Sequence, residues 1–158
     1  MSEIDSQLRD LLRSILKSVE FCKELDLDEI DELTNCSELK LVSYGEVVCR
    51  EGDEADSLMI IIEGSVKVTK LKPDGTEVLF GTLTSGRTFG EMALVDHEVR
   101  SATVSAVEDA MLLVIDQVAF ETLIESRTKI GYKLLRGIAR SVCTRLRELS
   151  DDYTELSS

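Results

Sequence analysis

Residues 86–104 hold the side chains best suited to chemistry: Gly86-Arg87-Thr88-Phe89-Gly90-Glu91-Met92-Ala93-Leu94, then, after Val95–Val99, Arg100-Ser101-Ala102-Thr103-Val104. Phe89 closes an extended segment, and Gly90 permits a sharp turn or a close approach of backbone. Glu91 to Leu94 are good formers of a single helical turn. The first amides of such a turn lack acceptors within it and make a cradle for an anion. Arg100 stands just ahead of a predicted strand, and its planar guanidinium can serve two phosphate oxygens at once. Glu91 is out of place beside an anion unless it accepts hydrogen bonds from neutral hydroxyls, as a ribose 2′-OH supplies, while Arg100 balances the charge. Amides and an arginine for phosphate, with a carboxylate for a sugar hydroxyl, describe a nucleotide site. No GxxxxGK(S/T) run occurs in the chain, and no pair of magnesium-binding acids lies nearby, so one cyclic phosphate suits the segment better than a triphosphate.

Three zones of the chain must position this segment. Leu8, Leu11, Leu12, Ile15, Leu16 and Val19 recur at spacings of three and four, which predicts an amphipathic helix over Asp5–Val19. Leu27, Ile30 and Leu33 among four acids predict a second, shorter helix, with N-terminal helices expected over 5–36. From 38 to 115 the pattern becomes short strands broken by glycine: Val47–Cys49, Leu58–Ile62, Val66 with Val68, Val78–Phe80, Thr103–Val107 and Met111–Ile115. Lys72-Pro73-Asp74-Gly75 is a hairpin turn by composition. The unbroken apolar run Leu58–Ile62 predicts a strand covered on both faces, by barrel interior and by helix. From 116 to 150 the chain is helical again, first around Val118–Ile124 and then over Thr128–Leu149. The long helix carries Ile130, Leu134, Ile138, Val142, Leu146 and Leu149 on one stripe, open to use as a dimer seam or as packing against the chain's own barrel. The expected fold is α+β, mainly β: one domain over 1–158, with a β-roll or jelly-roll barrel flanked by N-terminal helices and a long C-terminal helix.

Composition narrows the function classes. The 158 residues carry 18 basic and 31 acidic side chains, a formal charge of −13, so the chain as a whole repels a nucleic-acid backbone. Aromatic residues make up 4% with no Trp, too few for a stacking platform. The charge is polarised: residues 127–147 hold seven bases and no acid, whereas residues 20–56 hold thirteen acids against three bases. The expectation is solvated faces with incidental pairing; the sharper alternative is that the acidic front and basic tail meet, within a chain or between chains. Cys22, Cys36, Cys49 and Cys143 form no CxxC pair, and with the single His97 they offer no metal-site spacing. Four free thiols, an acidic Met1-Ser2-Glu3-Ile4-Asp5 start and no apolar run near the roughly 18–20 residues of a membrane span lead to an expectation of a reducing cytoplasm. His97, between Asp96 and Glu98, is read as an exposed loop residue. A metal-dependent barrel enzyme wants two or three histidines, so no enzyme activity and no metal are expected.

Phe89-Gly90-Glu91-Met92-Ala93-Leu94 with Arg100-Ser101-Ala102-Thr103-Val104 resembles the phosphate-binding cassette of cyclic-nucleotide-binding domains, the sensor family of the catabolite activator protein and of the regulatory subunits of cyclic-AMP-dependent protein kinase. The resemblance extends through Gly45-Glu46, Glu51-Gly52-Asp53, Leu58–Ile62, Gly64, Val66, Leu83 and Gly86, roughly from Phe21 to Leu149. It implies that Glu91 binds the ribose 2′-OH and Arg100 the cyclic phosphate. Gly90, Met92 and Ala93 would present backbone groups, and Ser101 and Ala102 would support the phosphate. Family members often carry proline before the arginine, where Val99 stands here. The implied ligand is cyclic AMP or cyclic GMP, with cyclic AMP preferred; Ser101 is placed to reach a guanine amino group. The implied mechanism is regulatory: ligand lets the short helix after the barrel pack inward and the long helix swing over the pocket, relaying the signal to a partner. Two alternatives stand beside it. One is a ligand-free barrel acting as an interaction or dimerisation module. The other is a transcription factor of the catabolite-activator type, which would need a recognition helix after the long helix, where only 151–158 follow.

Overall fold

A computed structural model describes residues 3–96 and 98–157; His97 lies outside the described residues. Helix α1 (Glu3–Ser18) leads through a 3₁₀ turn (Glu20–Cys22) to α2 (Leu27–Asn35). Eight strands follow: β1 (Glu38–Val42), β2 (Val47–Cys49), β3 (Ser57–Glu63), β4 (Ser65–Leu71), β5 (Glu77–Thr84), β6 (Thr88–Phe89), β7 (Thr103–Ala106) and β8 (Ala110–Asp116). The short α3 (Ala93–Asp96) interrupts them between β6 and β7, and α4 (Gln117–Ser126) and α5 (Thr128–Ser157) complete the described chain. The strands form two four-stranded antiparallel sheets, β1-β8-β3-β6 and β2-β7-β4-β5. This is the expected α+β architecture of a β-roll between N-terminal helices and a long C-terminal helix.

Strand β3 shows why the apolar run at 58–62 has no polar alternation. Successive side chains point to opposite faces of a sheet. Leu58, Ile60 and Ile62 enter the core that α1, α2, α4 and α5 share, beside Leu16, Phe120 and Ile130. Met59 and Ile61 enter the barrel interior with Val66, Val104 and Leu112 from the neighbouring strands. β8 divides the same way, with Leu113 and Ile115 toward the helices and Leu112 toward the barrel. The 72–75 turn closes through the Gly75 N–H to the Lys72 carbonyl at 2.9 Å.

The helices hold through their ends as well as their faces. Asp26 caps α2 by accepting from the Glu29 N–H at 2.9 Å, and the Glu29 carboxylate accepts from the Asp26 N–H at 3.0 Å, a reciprocal capping box. Asp116 caps α4 by accepting from the Ala119 N–H at 2.7 Å. On α5, Gly137 lies against the backbone of Phe21, where an added Cβ would stand 2.6 Å from the Phe21 Cα. A mid-helix glycine costs about 1 kcal/mol against alanine, and here it lets α5 lie directly on the Phe21 backbone.

Three expectations are corrected. Helix α5 runs through to Ser157 rather than ending near Leu149. Its apolar stripe is divided: Ile130, Leu134 and Ile138 are buried in the chain's own core, while Val142, Leu146 and Leu149 are exposed. The opposite charges meet within one chain, because Arg127, Lys133 and Arg140 pair with Glu32, Glu29 and Glu24 at 2.9, 2.6 and 2.8 Å. α5 packs along the 3₁₀ turn at 20–22, and its buried residues share one core with Ile30 and Leu33 of α2, so the pairing follows from the packing. Among the described residues no helix is long and apolar enough to cross a membrane.

Candidate ligand-binding site

The segment singled out by its chemistry wraps one end of the barrel. β6 pairs with β3, so Phe89 is buried in the barrel core and the chain must reverse immediately after it. Gly90 makes that reversal at φ +85°, in the left-handed region where a side chain is strained. The turn into α3 then closes through the Ala93 N–H to the Gly90 carbonyl at 3.0 Å and the Leu94 N–H to the Glu91 carbonyl at 3.3 Å. The Ala93 amide is therefore engaged within the turn, and the amides of Glu91 and Met92 are those ahead of its first hydrogen bond.

Arg100 is held by its own backbone before its side chain is considered. Its N–H donates to the Asp53 carbonyl at 2.7 Å, and its carbonyl accepts from the Gly52 N–H at 2.9 Å. The guanidinium is buried, at 7% exposure for the residue, and donates through Nη2 to the Ser57 hydroxyl at 3.1 Å. It lies directly over Gly90, where any added Cβ would meet Nη1. Among the described residues no carboxylate pairs with it. A buried cation without a counter-ion is costly in a folded protein, and it makes this spot a receptor for an anion.

Glu91 faces the same hollow and is 2% exposed. Both carboxylate oxygens are closed to solvent, and neither accepts a well-directed hydrogen bond. Arg145 of α5 approaches Oε1 through Nη1 as an ion pair, too poorly aligned to count as a hydrogen bond. Glu91 and Arg100 thus do not neutralise each other. Arg100 has no carboxylate partner among the described residues, whereas Glu91 is ion-paired with Arg145.

The cavity between them has a volume of about 560 Å³, and all of Gly90, Glu91, Met92, Ala93, Arg100, Ser101 and Ala102 line it. Ser101 is exposed and Ala102 half-buried at its edge. Phe80, Leu83 and Val68 supply an apolar wall from the second sheet, and Asp96, Glu98 and Arg145 stand at its margin. Cys49 also lines it, its thiol pushed up chiefly by burial. Two participants escaped sequence reading. Ser57 lies 43 residues before Arg100 and carried no signal. Arg145 was visible only as one of seven bases between 127 and 147.

Comparison with known proteins agrees with this geometry. The family pattern described as "Cyclic nucleotide-binding domain" matches residues 39–127, more than half of the chain. Human cGMP-dependent protein kinase 2 is 37% identical over 118 residues, covering 73% of this chain and 16% of that protein. The cAMP-dependent protein kinase regulatory subunit of Mycosarcoma maydis is 36% identical over 118 residues, covering 73% of this chain and 22% of that protein. The chain thus spans less than a quarter of the length of either relative. The catabolite activator protein of Thermus thermophilus superposes with a TM-score of 0.78 at 28% identity, over 87% of this chain and 63% of that one. With the family pattern over 39–127 and relatives above 30% identity over more than two thirds of it, the chain belongs to the cyclic-nucleotide-binding domain family.

Proposed function

We propose that residues 1–158 act as one sensor domain that binds a cyclic purine mononucleotide in the 89–104 cassette and relays its presence through α4 and α5. The observation that carries this reading is a buried cation and a buried carboxylate that line one cavity without pairing to each other. Among the described residues the Arg100 guanidinium has no carboxylate partner, and the only cation on Glu91 comes from Arg145, outside the cassette. A cyclic nucleotide offers both complements on one rigid ring system: a singly charged phosphate and, beside it, a sugar hydroxyl.

In this reading Arg100 holds the phosphate through charge-assisted hydrogen bonds, and Ser57 keeps its fork aimed into the cavity. The amides of the Gly90–Met92 turn add neutral donors, and Ser101 and Ala102 close the side nearest β7. Glu91 accepts from the ribose hydroxyl. The purine lies toward Phe80, Leu83 and Val68, and both cyclic AMP and cyclic GMP fit that description, with cyclic AMP the ligand we favour. The residues named bind, orient and exclude water; none is placed for bond-breaking chemistry. A reducing cytoplasm suits the four thiols, which are all free.

The output path is α5. Its exposed residues Leu135, Val142, Leu146, Leu149, Tyr153 and Leu156 follow a seven-residue repeat along one face. That pattern supports pairing with the same helix of a second copy in a parallel seam. A regulatory partner would then read the position of α5.

The test is calorimetry of the chain with cyclic AMP and with cyclic GMP, alongside Arg100→Ala. Removing a buried charge-assisted contact of about 3 kcal/mol should weaken binding about a hundredfold. Absence of heat and of thermal shift with both nucleotides, in the parent as in the variant, would leave the chain an interaction module.

A further inference from the structure

Glu91 already has a partner from outside the cassette. Arg145 reaches it from α5, and with Arg145 in place both carboxylate oxygens are closed to solvent. No hydroxyl can touch them in this arrangement. Something must move before Glu91 can accept from a sugar, and the surroundings identify what. Gly90 and α3 are fixed by backbone hydrogen bonds and by the buried Ala93 and Leu94. The Arg145 side chain is half exposed and rotates on a long stem.

The position of Arg145 on its helix gives the displacement a consequence. α5 makes ion pairs to Glu29 through Lys133, to Glu24 through Arg140 and to Glu91 through Arg145. Of these, the Arg145 pair lies farthest along the helix. The apolar anchoring of α5 ends at Ile138, and from Val142 to Leu156 its side chains are exposed. Arg145 therefore ties an otherwise weakly packed half-helix to the cassette.

The geometry points to Arg145 as a built-in competitor of the ligand's sugar. Arg145 and the sugar need the same carboxylate, so binding displaces Arg145 from Glu91, which unties the distal half of α5 to take up a new position. This rests on the nucleotide reading proposed above. The exchange conserves the satisfaction of Glu91, since a hydroxyl donor replaces a guanidinium while Arg100 and the phosphate balance each other. Asp96 and Glu98 at the cavity margin can receive the released guanidinium. A ligand that must first open such a tie binds with an affinity lowered by the fraction of chains that are open.

The experiment measures cyclic AMP and cyclic GMP affinities by calorimetry for the parent, Arg145→Ala and, as a nearby charge control, Arg147→Ala. Hydrogen exchange of residues 141–157 is followed with and without ligand. Arg145→Ala should bind about three- to tenfold more tightly at low salt, with Arg147→Ala at the parental value. That advantage should shrink between about 50 mM and about 500 mM salt, because screening weakens the competing ion pair in the parent alone. Exchange over 141–157 should be faster in ligand-free Arg145→Ala than in the ligand-free parent, and ligand should accelerate it in the parent. Weaker binding by Arg145→Ala overturns the proposal and makes Arg145 a ligand contact; unchanged affinity and exchange overturn it as well. If neither parent nor variant takes up either nucleotide, the nucleotide reading has failed. Equal exchange in the two ligand-free proteins would then overturn the tie on its own.

Discussion

A methyl group at residue 90 would stand 2.7 Å from the Ser57 carbonyl and would drive into the Arg100 guanidinium, at a backbone angle of φ +85°. Gly90→Ala should therefore lower stability by about 1–3 kcal/mol and displace the arginine that the site depends on. Gly81→Ala, where an added methyl meets nothing within 4 Å, should stay within about 0.5 kcal/mol of the parent. Urea denaturation of the two variants checks both expectations. At this scale much of the candidate site was legible, because Gly90, Glu91 and Arg100 fall within eleven residues and the carboxylate and guanidinium are unusual beside a tight turn. Ser57 and Arg145 were not. Their roles depend on which strand and which helix the fold brings against the cassette, and neither residue type is rare enough to stand out alone.

The elements followed their patterns where one face was buried and escaped notice where none was. β3 and β8 were readable from continuous apolar runs, since each serves two cores. β1 was not, because Glu38, Leu39, Lys40 and Leu41 are all exposed and only Val42 is buried; its strand character comes from pairing with β8. α5 misled differently. One stripe reading from Ile130 to Leu149 merges residues that face the core with residues that face outward, since each step of four residues advances about 40° around a helix of 3.6 residues per turn. The outward set is the proposed dimer seam. Leu146→Asp with Leu149→Asp should convert a sedimenting dimer into monomer while the thermal midpoint changes little, because both residues are exposed at 66% and 65%. A parent that sediments as a monomer across the concentration range would remove the seam from the account.

For the molecule as a whole, three carboxyl groups among the helices are held low, one by a helix cap and two by arginines. Asp26 is held below its ordinary range chiefly by the Glu29 N–H, Asp31 by its hydrogen bonds from Arg13, and Glu24 by its hydrogen bond from Arg140. Each is lower in the folded than in the unfolded chain, so each contributes stability that is full above the unfolded values and lost as pH falls through the folded ones. The melting temperature should hold between about pH 7 and pH 5 and decline below about pH 4, where unfolded carboxylates begin to take up protons. A thermal series followed by circular dichroism measures this directly. A midpoint that rises on acidification would contradict the arrangement.

The contact of Gly137 with the Phe21 backbone also fixes a fulcrum. From Ile138 to Leu156, α5 is a rod of about 27 Å at about 1.5 Å per residue, and a tilt of about 10° at its base would swing its tip by about 5 Å. A shift of about 2 Å where Arg145 meets the cavity thus reaches the far end as a displacement comparable to one full helical turn, large enough for a neighbouring molecule to gauge.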